Sequence, residues 1–447
     1  MTHLTDKELT NIADHQFALE FLRATLVQQT DSIPRMYVGS GSISQSSDGM
    51  LELKMYCPVD SASTLLGEFG ASAAEPGQLI GKEQYFAFEG VDVFGQAWTA
   101  TNIWVDADVS IPASGCIVRS KLRSIESRDQ RSSATTSSRT ILIVPGTYNI
   151  PFVSGQPNTA EPGFSACMLD LGTNCSCHLR TRGRTLVVEI VQQDQDPEQY
   201  AGRVVEAIGI AIGAHLVPHA EIRLSATERV QTVRSLDRHA SEHLRLEPPI
   251  RSQTPSDFPD FQAFVRAYVE RIQEPFSQLA GFWYRILTAS NGGLENQALV
   301  LSTAIEGVLK ASFPEEGKPD VEFLQQVRDA TPAVKKLALG SRVRESVLGS
   351  LGRAGASTPS NALHALAKAG MLPPRLVLIW KELRNKSAHA DELKWSAAQT
   401  QAFINALYAC LELFYRLIMI RTGYEGALVQ YSGLGWPADK HTASSEG

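Results

Sequence analysis

The sequence predicts an α+β fold, in which an antiparallel, β-rich N-terminal domain is followed by an all-helical bundle domain. Two observations support this prediction. After Pro34, short apolar runs alternate with clusters of Gly, Ser, Asp and Pro, a pattern typical of antiparallel strands joined by turns. From Phe258 onward, apolar residues recur at helical spacing instead. The two halves of the chain are therefore expected to differ in secondary structure.

The boundary between the two regions is predicted in a segment rich in Pro and Ser, residues 246–257. Such a composition is typical of linkers. We therefore predict a β-rich domain over residues 1–245, a linker over residues 246–257 and a helical domain over residues 258–447. Of the 447 residues, 43% are hydrophobic and 20% are charged, which is the ordinary composition of globular domains with sizeable cores.

The elements of the N-terminal domain follow from the same patterns. Apolar residues at helical spacing, including Leu22 and Leu26, predict a first helix over residues 7–29. A second helix is predicted over residues 197–216, and the polar segment 128–139 is predicted to be a mobile loop. Strands are predicted at residues 51–56, 84–88, 98–105, 116–122, 141–144, 185–191 and 221–224.

The C-terminal domain is predicted to contain helices throughout. The last helix is long and amphipathic, and the closing segment 431–437 is predicted to dock onto the bundle. The predicted helices cover residues 261–272, 275–288, 294–311, 320–327, 334–339, 342–351, 361–369, 375–389 and 397–420.

The six cysteines are too sparse for a disulfide framework. Cys175 and Cys177, with Cys167 upstream, are candidates for a zinc site, but one residue separates the first two where zinc knuckles need at least two. We therefore predict reduced thiols on a β-turn, no bound metal and no cofactor. The N-terminus has no secretory signal and no apolar run reaches about 18 residues, so we expect a cytoplasmic protein without membrane contact.

The charge is distributed unevenly along the chain. The net charge of −7 argues against a general nucleic-acid coat. Residues 251–447 contain 21 Lys and Arg against 19 Asp and Glu, whereas residues 1–250 contain 20 against 29. A phosphate-binding surface is therefore expected in the C-terminal domain. Lys335 and Lys336 begin a basic cluster there, which is either such a surface or an ordinary solvated helix face.

A polar cluster closes the apolar run 376–380, and it consists of Arg384, Asn385, Lys386 and His389. These residue types suit RNA cleavage without a metal. An imidazole exchanges protons near neutral pH and can act as base toward a 2′-OH. A guanidinium binds phosphate oxygens and stabilises the charge that develops on them. The amide can orient the imidazole or the phosphate.

Arg384 and His389 do not share a helix face, since five positions correspond to a rotation of roughly 140°. Asn385 and His389, four positions apart, do share one. Arg384 and His389 therefore meet only if the Arg side chain wraps back or if a second subunit completes the site. Two ordinary alternatives remain, in which Arg384 pairs with an acid on a neighbouring helix and His389 is a helix-end residue.

A second feature is Glu306, an acid in an otherwise apolar predicted helix. Burying a carboxylate is costly unless it is paired. We therefore predict that Glu306 pairs with Arg384 or with a partner subunit. Lys310 follows Glu306 by one helical turn.

Together these features resemble the HEPN superfamily, whose mark is an Arg–polar–x3–5–His motif on a late helix of a small bundle. Residues 384–389 fit this motif. Glu306 and Lys310 match a second family feature, Glu-x3-Lys/Arg on an earlier helix. The layout of a β-rich domain before a HEPN domain resembles the ApeA-type anti-phage proteins.

The resemblance implies a homodimer formed through the HEPN domain, with both motifs lining one cleft. It implies a toxin or abortive-infection effector that cuts RNA, such as tRNA, by 2′-OH attack to leave a 2′,3′-cyclic phosphate. The implied catalytic residues are Arg384, His389, Asn385 and Glu306. The implied RNA-binding residues are Lys310, Lys386, Lys335 and Lys336.

Two other interpretations stay open. The HEPN domain can be a catalytically silent dimerisation or RNA-binding module, with the N-terminal domain sensing a ligand. Alternatively, the N-terminal domain is itself an enzyme, although no motif in it identifies a site. Under the nuclease interpretation, the N-terminal domain is expected to restrain the nuclease or to sense a phage-derived trigger.

Overall fold

The computed structural model describes residues 11–12, 14, 16–31, 34–58, 77, 79–105, 115–130, 137–152, 164–172, 174–193, 197–236, 244–273, 277–388 and 396–440. The fold is α+β, as predicted, with a large antiparallel sheet followed by helices. The chain forms two compact units. The first contains Met1–Tyr148, Phe152–Ala201 and Leu216–His243, and the second contains Asn149–Pro151, Gly202–His215 and Leu244–Gly447.

The described part of the first unit contains one sheet of thirteen strands, and every pair of neighbours is antiparallel. The spatial order is β6, β3, β2, β1, β4, β5, β7, β13, β12, β8, β11, β10, β9. The strands are β1 (Ala18–Gln28), β2 (Met36–Gln45), β3 (Leu51–Pro58), β4 (Phe86–Asp92), β5 (Ala97–Ile103), β6 (Gly115–Leu122), β7 (Ser124–Gln130), β8 (Ser137–Pro145), β9 (Phe164–Asp170), β10 (Cys175–Arg182), β11 (Thr185–Gln193), β12 (Ala220–Leu224) and β13 (Glu228–Arg234).

The first six strands close into a ring. β6 stands at one end of this strand order, but Val105, just after β5, pairs with Ser120 of β6. The Ser120 hydroxyl also donates to the Trp104 carbonyl. A closed ring removes the exposed edge that an open sheet would present. Side chains that point inward from the ring form an apolar core that includes Leu26, Ile43, Leu53, Met55, Phe88 and Val118.

The predicted helix over residues 7–29 was wrong, because residues 18–28 form strand β1. A register irregularity lies between Phe21 and Ala24, where β1 pairs with β2. A bulge inserts an extra residue, so two inward-facing side chains become three positions apart. That spacing imitates a helix turn in the sequence. Leu22, which the helical pattern placed on the apolar face, is 81% exposed.

Part of the predicted loop 128–139 is also strand. β7 continues to Gln130 and β8 begins at Ser137, while residues 131–136 lie outside the described part. The thiols of Cys175 and Cys177 lie on strand β10 and not on a turn. Across the described residues, no group of three or more His, Cys, Asp or Glu side chains is arranged to hold a metal ion.

The helices, in chain order, match the predicted ones closely. The prediction of two separate helices over residues 320–327 and 334–339 was wrong, since one continuous helix, α5, runs through the exposed Pro332 and ends at Lys336. The helices are α1 (Pro197–Ile212), α2 (Phe258–Arg271), α3 (Gln278–Ala289), α4 (Leu294–Ser312), α5 (Val321–Lys336), α6 (Ser341–Ala354), α7 (Pro359–Lys368), α8 (Pro374–Ala388) and α9 (Ala397–Thr422).

Helix α4 is the centre of the bundle and contacts α3, α7, α8 and α9. Its buried residues include Leu301, Ile305, Val308 and Leu309, which recur at the three- and four-residue spacing of a helix face. Helices α5 and α6 form a hairpin and contact each other, and neither contains a buried residue. The bundle core therefore lies among α2, α3, α4, α7, α8 and α9.

Helix α9 has the length and apolar composition that a membrane span requires. Core helices have the same composition, and 61% of its most apolar window is buried. It contacts α2, α4 and α8. The apolar face of α9 therefore has packing partners inside the bundle.

The segment predicted as a linker, residues 246–257, packs within the second unit. Ile250 is buried, and Tyr415 of α9 donates a hydrogen bond to the Glu247 carbonyl at 2.6 Å. The closing segment docks here as predicted, since Tyr431 donates to the Pro248 carbonyl at 2.6 Å. A short hairpin of β14 (Ala427–Val429) and β15 (Ala438–Lys440) flanks it.

Candidate functional site

The candidate site lies where α8 crosses α4. Residues Leu376, Val377, Trp380 and Leu383 of α8 are buried, and their spacing directs one helix face into the bundle. Arg384 comes directly after Leu383, the last of these buried residues, and its side chain reaches helix α4. Its Nε donates to a carboxylate oxygen of Glu306 on α4.

This ion pair is the one that the sequence analysis expected within a single chain. The Glu306 side chain is 18% exposed and the Arg384 side chain is 50% exposed. The carboxylate is therefore mostly removed from water, whereas half of the guanidinium side chain remains at the surface. The pair removes the cost of placing an acid on an apolar helix.

A cavity of about 340 Å³ opens beside the ion pair. Of the four residues predicted to be catalytic, the structure brings Glu306, Arg384 and Asn385 to this cavity. Its lining consists of Glu306, Thr358, Pro359, Ser360, Trp380, Lys381, Arg384 and Asn385. Three helices contribute to it, since these residues belong to α4, α8 and the beginning of α7.

The fourth predicted catalytic residue, His389, lies outside the described residues, which end at Ala388 in this part of the chain. Its role therefore stays a prediction. The helix itself, α8, is described through the residue immediately before it.

The predicted RNA-binding lysines are solvent-exposed and do not line the described cavity. Lys310 lies one turn beyond Glu306 on α4, and Lys386 lies near the end of α8. Lys335 and Lys336 lie in the last turn of α5, on the exposed hairpin. These four residues are thus spread over two regions of the second unit.

Sequence reasoning missed Lys381, which lines the cavity one turn before Arg384. Its Nζ lies 2.6 Å from Nε2 of His364 on α7. An ammonium only donates hydrogen bonds, so the imidazole nitrogen is the acceptor in this contact. The signal was available, since Lys381, Arg384 and Asn385 have the three- and four-residue spacing of one helix face.

Sequence reasoning also missed the start of α7. Thr358 caps this helix, and its side chain accepts a hydrogen bond from the Asn361 amide at 3.1 Å. Pro359 occupies the first turn. A Thr followed by Pro is a common helix start, but that pattern does not reveal that the helix end adjoins Lys381 and Arg384.

Comparisons of the chain with known protein families, with curated proteins and with solved structures found no match. The functional interpretation therefore depends on the residues and their arrangement.

Proposed function

We propose that the chain is a metal-independent endoribonuclease of the HEPN type, with its active centre at the Arg384–Glu306 ion pair. The observation that supports this most is the pairing itself. It joins the two sequence features of the resemblance, which are 78 residues apart, at one open cavity that Asn385 also lines. A half-exposed guanidinium held in a defined orientation is suited to binding a phosphate.

In the proposed reaction, His389 removes the proton from a ribose 2′-OH. The 2′ oxygen then attacks the adjacent phosphorus atom, and the bond from phosphorus to the 5′ oxygen breaks. The leaving oxygen takes up a proton, so the products are a 2′,3′-cyclic phosphate and a 5′-OH. Arg384 stabilises the negative charge on the phosphate oxygens during the attack. Glu306 orients Arg384, and Asn385 donates to a phosphate oxygen or orients the imidazole.

The biological role is proposed from the same resemblance. The protein is an anti-phage effector of the abortive-infection type, or a toxin, acting in the cytoplasm on RNA such as tRNA. It acts as a homodimer formed through the HEPN domain. The N-terminal β-rich region restrains the nuclease or senses a phage-derived trigger.

RNA cleavage in the presence of a chelator tests this proposal. The full-length protein is incubated with total RNA and EDTA, and the 3′ ends of the products are analysed. Cleavage is expected for the wild type and lost in Arg384→Ala and His389→Ala. Lys368→Ala, which removes an exposed cation at the end of α7, is the control and is expected to cleave normally. Cleavage that stops on chelation would contradict the mechanism.

A second candidate function is a catalytically silent RNA-binding or dimerisation module. The same ion pair favours it, because a structural salt bridge between two core helices needs no catalytic purpose. RNA binding without cleavage, under every trigger condition tested in cells, would favour this alternative.

A further inference from the structure

The start of helix α7 forms one wall of the cavity beside the ion pair, through Thr358, Pro359 and Ser360. α7 contains ten residues. The first backbone amides of a helix have no acceptor within the helix, and the helix dipole adds partial positive charge there. Pro359 contributes no amide. Ser360 is therefore the first residue of the helix that can offer an N–H group to a ligand.

The opposite wall supplies cations. Lys381 and Arg384 are one turn apart on α8 and both line the cavity. His364 accepts a hydrogen bond from Lys381, and this contact holds the ammonium beside α7. Within the cavity lining, the single acid is Glu306, whose charge Arg384 balances. No second acid among the described residues lines the cavity to balance Lys381, so its positive charge and that of the helix dipole act together on a ligand there.

An independent observation comes from Trp380, which also lines the cavity. Its side chain is buried, with 3% of the residue exposed, and its indole N–H has no hydrogen-bond partner among the described residues. Buried donors without a partner are uncommon in folded proteins and are costly. The indole nitrogen is closed to solvent in this structure, so the ring would have to turn slightly for an acceptor in the cavity to reach this donor.

We propose that this cavity is a phosphate-binding subsite formed by the start of α7 and by α8. The phosphate oxygens accept hydrogen bonds from the Ser360 amide and hydroxyl and from Lys381. The source of the phosphate, an RNA backbone phosphate next to the one that is cleaved, rests on the proposed function. The oxyanion chemistry of the subsite does not.

The test compares two carboxylates introduced one position apart. Ser360→Asp places a negative charge inside the cavity, while an acid near a helix N-terminus stabilises the helix. Asn361→Asp is the matched control, because it adds the same charge to the same helix turn at an exposed side chain that does not line the cavity. Lys381→Met removes the cation while keeping most of its apolar volume, and it provides a second variant.

Binding to the full-length protein is measured for inorganic phosphate, for AMP and for a short RNA whose 2′ positions are all methylated. Methylation blocks cleavage, so the readout is independent of nuclease activity. Phosphate binding is expected to weaken about tenfold or more in both variants. Ser360→Asp places a like charge a few ångströms from the phosphate, and Lys381→Met removes an attracting charge. Asn361→Asp is expected to bind like the wild type.

Each outcome decides a separate point. Equal phosphate affinity in the wild type, Ser360→Asp and Lys381→Met would overturn the subsite, even if the protein cleaves RNA. Weakened binding of phosphate and AMP alone, with unchanged RNA binding, would support the oxyanion site and overturn RNA as its source. Weakened binding of both phosphate and RNA would support the whole proposal, even if no cleavage is ever seen.

Discussion

At the scale of single residues, Arg384 and Glu306 illustrate the difference between a contribution to stability and a contribution to chemistry. Half of the Arg384 side chain is exposed to water. Water screens such a pair, and exposed ion pairs contribute roughly 1 kcal/mol or less to stability. The Glu306 carboxylate is mostly buried, so the pair also offsets the cost of that burial, while its defined geometry orients the half-exposed guanidinium.

The first prediction separates these two contributions. Arg384→Ala is expected to lower the free energy of unfolding by about 1–3 kcal/mol, because it leaves the mostly buried Glu306 carboxylate without its partner. The same change is expected to lower RNA cleavage by about 100-fold or more, since removing one group that stabilises transition-state charge has effects of that order. Urea denaturation and a cleavage assay measure the two quantities. Arg266→Ala, which breaks an exposed pair with Glu270 on α2, controls for the stability term and should leave cleavage intact.

The second prediction concerns the six thiols. Burial raises the pKa of Cys57 and of Cys167 to about 12, because the thiolate would lose its hydration. Only the thiolate reacts with disulfide reagents. In the native protein at mildly alkaline pH, we therefore expect labelling at Cys175, which is partly exposed, and protection of the five buried thiols.

Mass spectrometry of the labelled protein checks this expectation. Denaturation should make all six cysteines reactive. Rapid labelling of Cys57 in the native protein would contradict the described packing of the strand ring.

At the scale of elements, two glycines on neighbouring helices carry opposite expectations. A Cβ added to Gly307 of α4 would overlap the Phe282 ring of α3, whereas a Cβ added to Gly281 of α3 would meet nothing within 4 Å. The helices α3 and α4 therefore approach each other closely at Gly307.

The third prediction uses this matched pair. Gly307→Ala is expected to destabilise the protein by about 1–3 kcal/mol, because an overpacked contact forces the helices apart. Gly281→Ala is expected to stabilise it by about 0.5–1 kcal/mol, because alanine loses less conformational entropy in a helix. Urea denaturation of both variants measures the difference. Equal stabilisation by the two changes would show that Phe282 does not pack against Gly307.

The fourth prediction concerns the pH dependence of the second unit. Burial lowers the pKa of His215, whose ring lies 4.5 Å from that of Tyr284. The folded state thus takes up a proton at lower pH than the unfolded state, whose imidazole titrates near 6.5. The contribution of His215 to stability is present above pH 6.5 and is lost as the pH falls through the folded-state pKa.

Thermal denaturation across this pH range tests the sign. His215→Phe keeps an aromatic ring beside Tyr284 but cannot be protonated. We expect the variant to lose less stability than the wild type on acidification below pH 6.5. Parallel pH profiles for the two proteins would contradict the assignment.

At the scale of the whole molecule, the closing segment 431–437 packs back onto the core of the helical unit. Glu412 of α9 is fully buried and accepts hydrogen bonds from Arg416 at 2.9 Å, and from the amide and hydroxyl of Ser432 at 2.9 and 2.6 Å. Arg375 of α8 also donates to Ser432 at 2.9 Å. A buried carboxylate with this many donors holds the closing segment in place.

The fifth prediction follows from this network. Glu412→Gln is expected to lower the free energy of unfolding by about 3 kcal/mol or more, because it leaves the mostly buried Arg416 side chain without a counter-charge. Glu270→Gln breaks a pair with the same four-residue spacing on the surface of α2 and should change stability by less than about 0.5 kcal/mol. Urea denaturation measures both, and limited proteolysis is expected to release the closing segment in Glu412→Gln alone.

The sequence by itself determined the α+β class, the positions of nearly all the C-terminal helices and the expectation that Glu306 pairs with Arg384 or with a partner subunit. Those features depend on local periodicity and on the rule that an acid in an apolar helix needs a cation, and both are visible in the order of residues. The role of His389 remains a prediction from the sequence.

Only the tertiary structure decided that residues 18–28 form a strand, because the bulge that spaces Phe21 and Ala24 is defined by pairing with β2 and β4. It also decided that Ser360, Lys381 and Arg384 adjoin one cavity. Those groups come from different helices, and their approach depends on how α7 and α8 pack against α4. Packing of distant segments is a property of the folded chain that no local pattern contains.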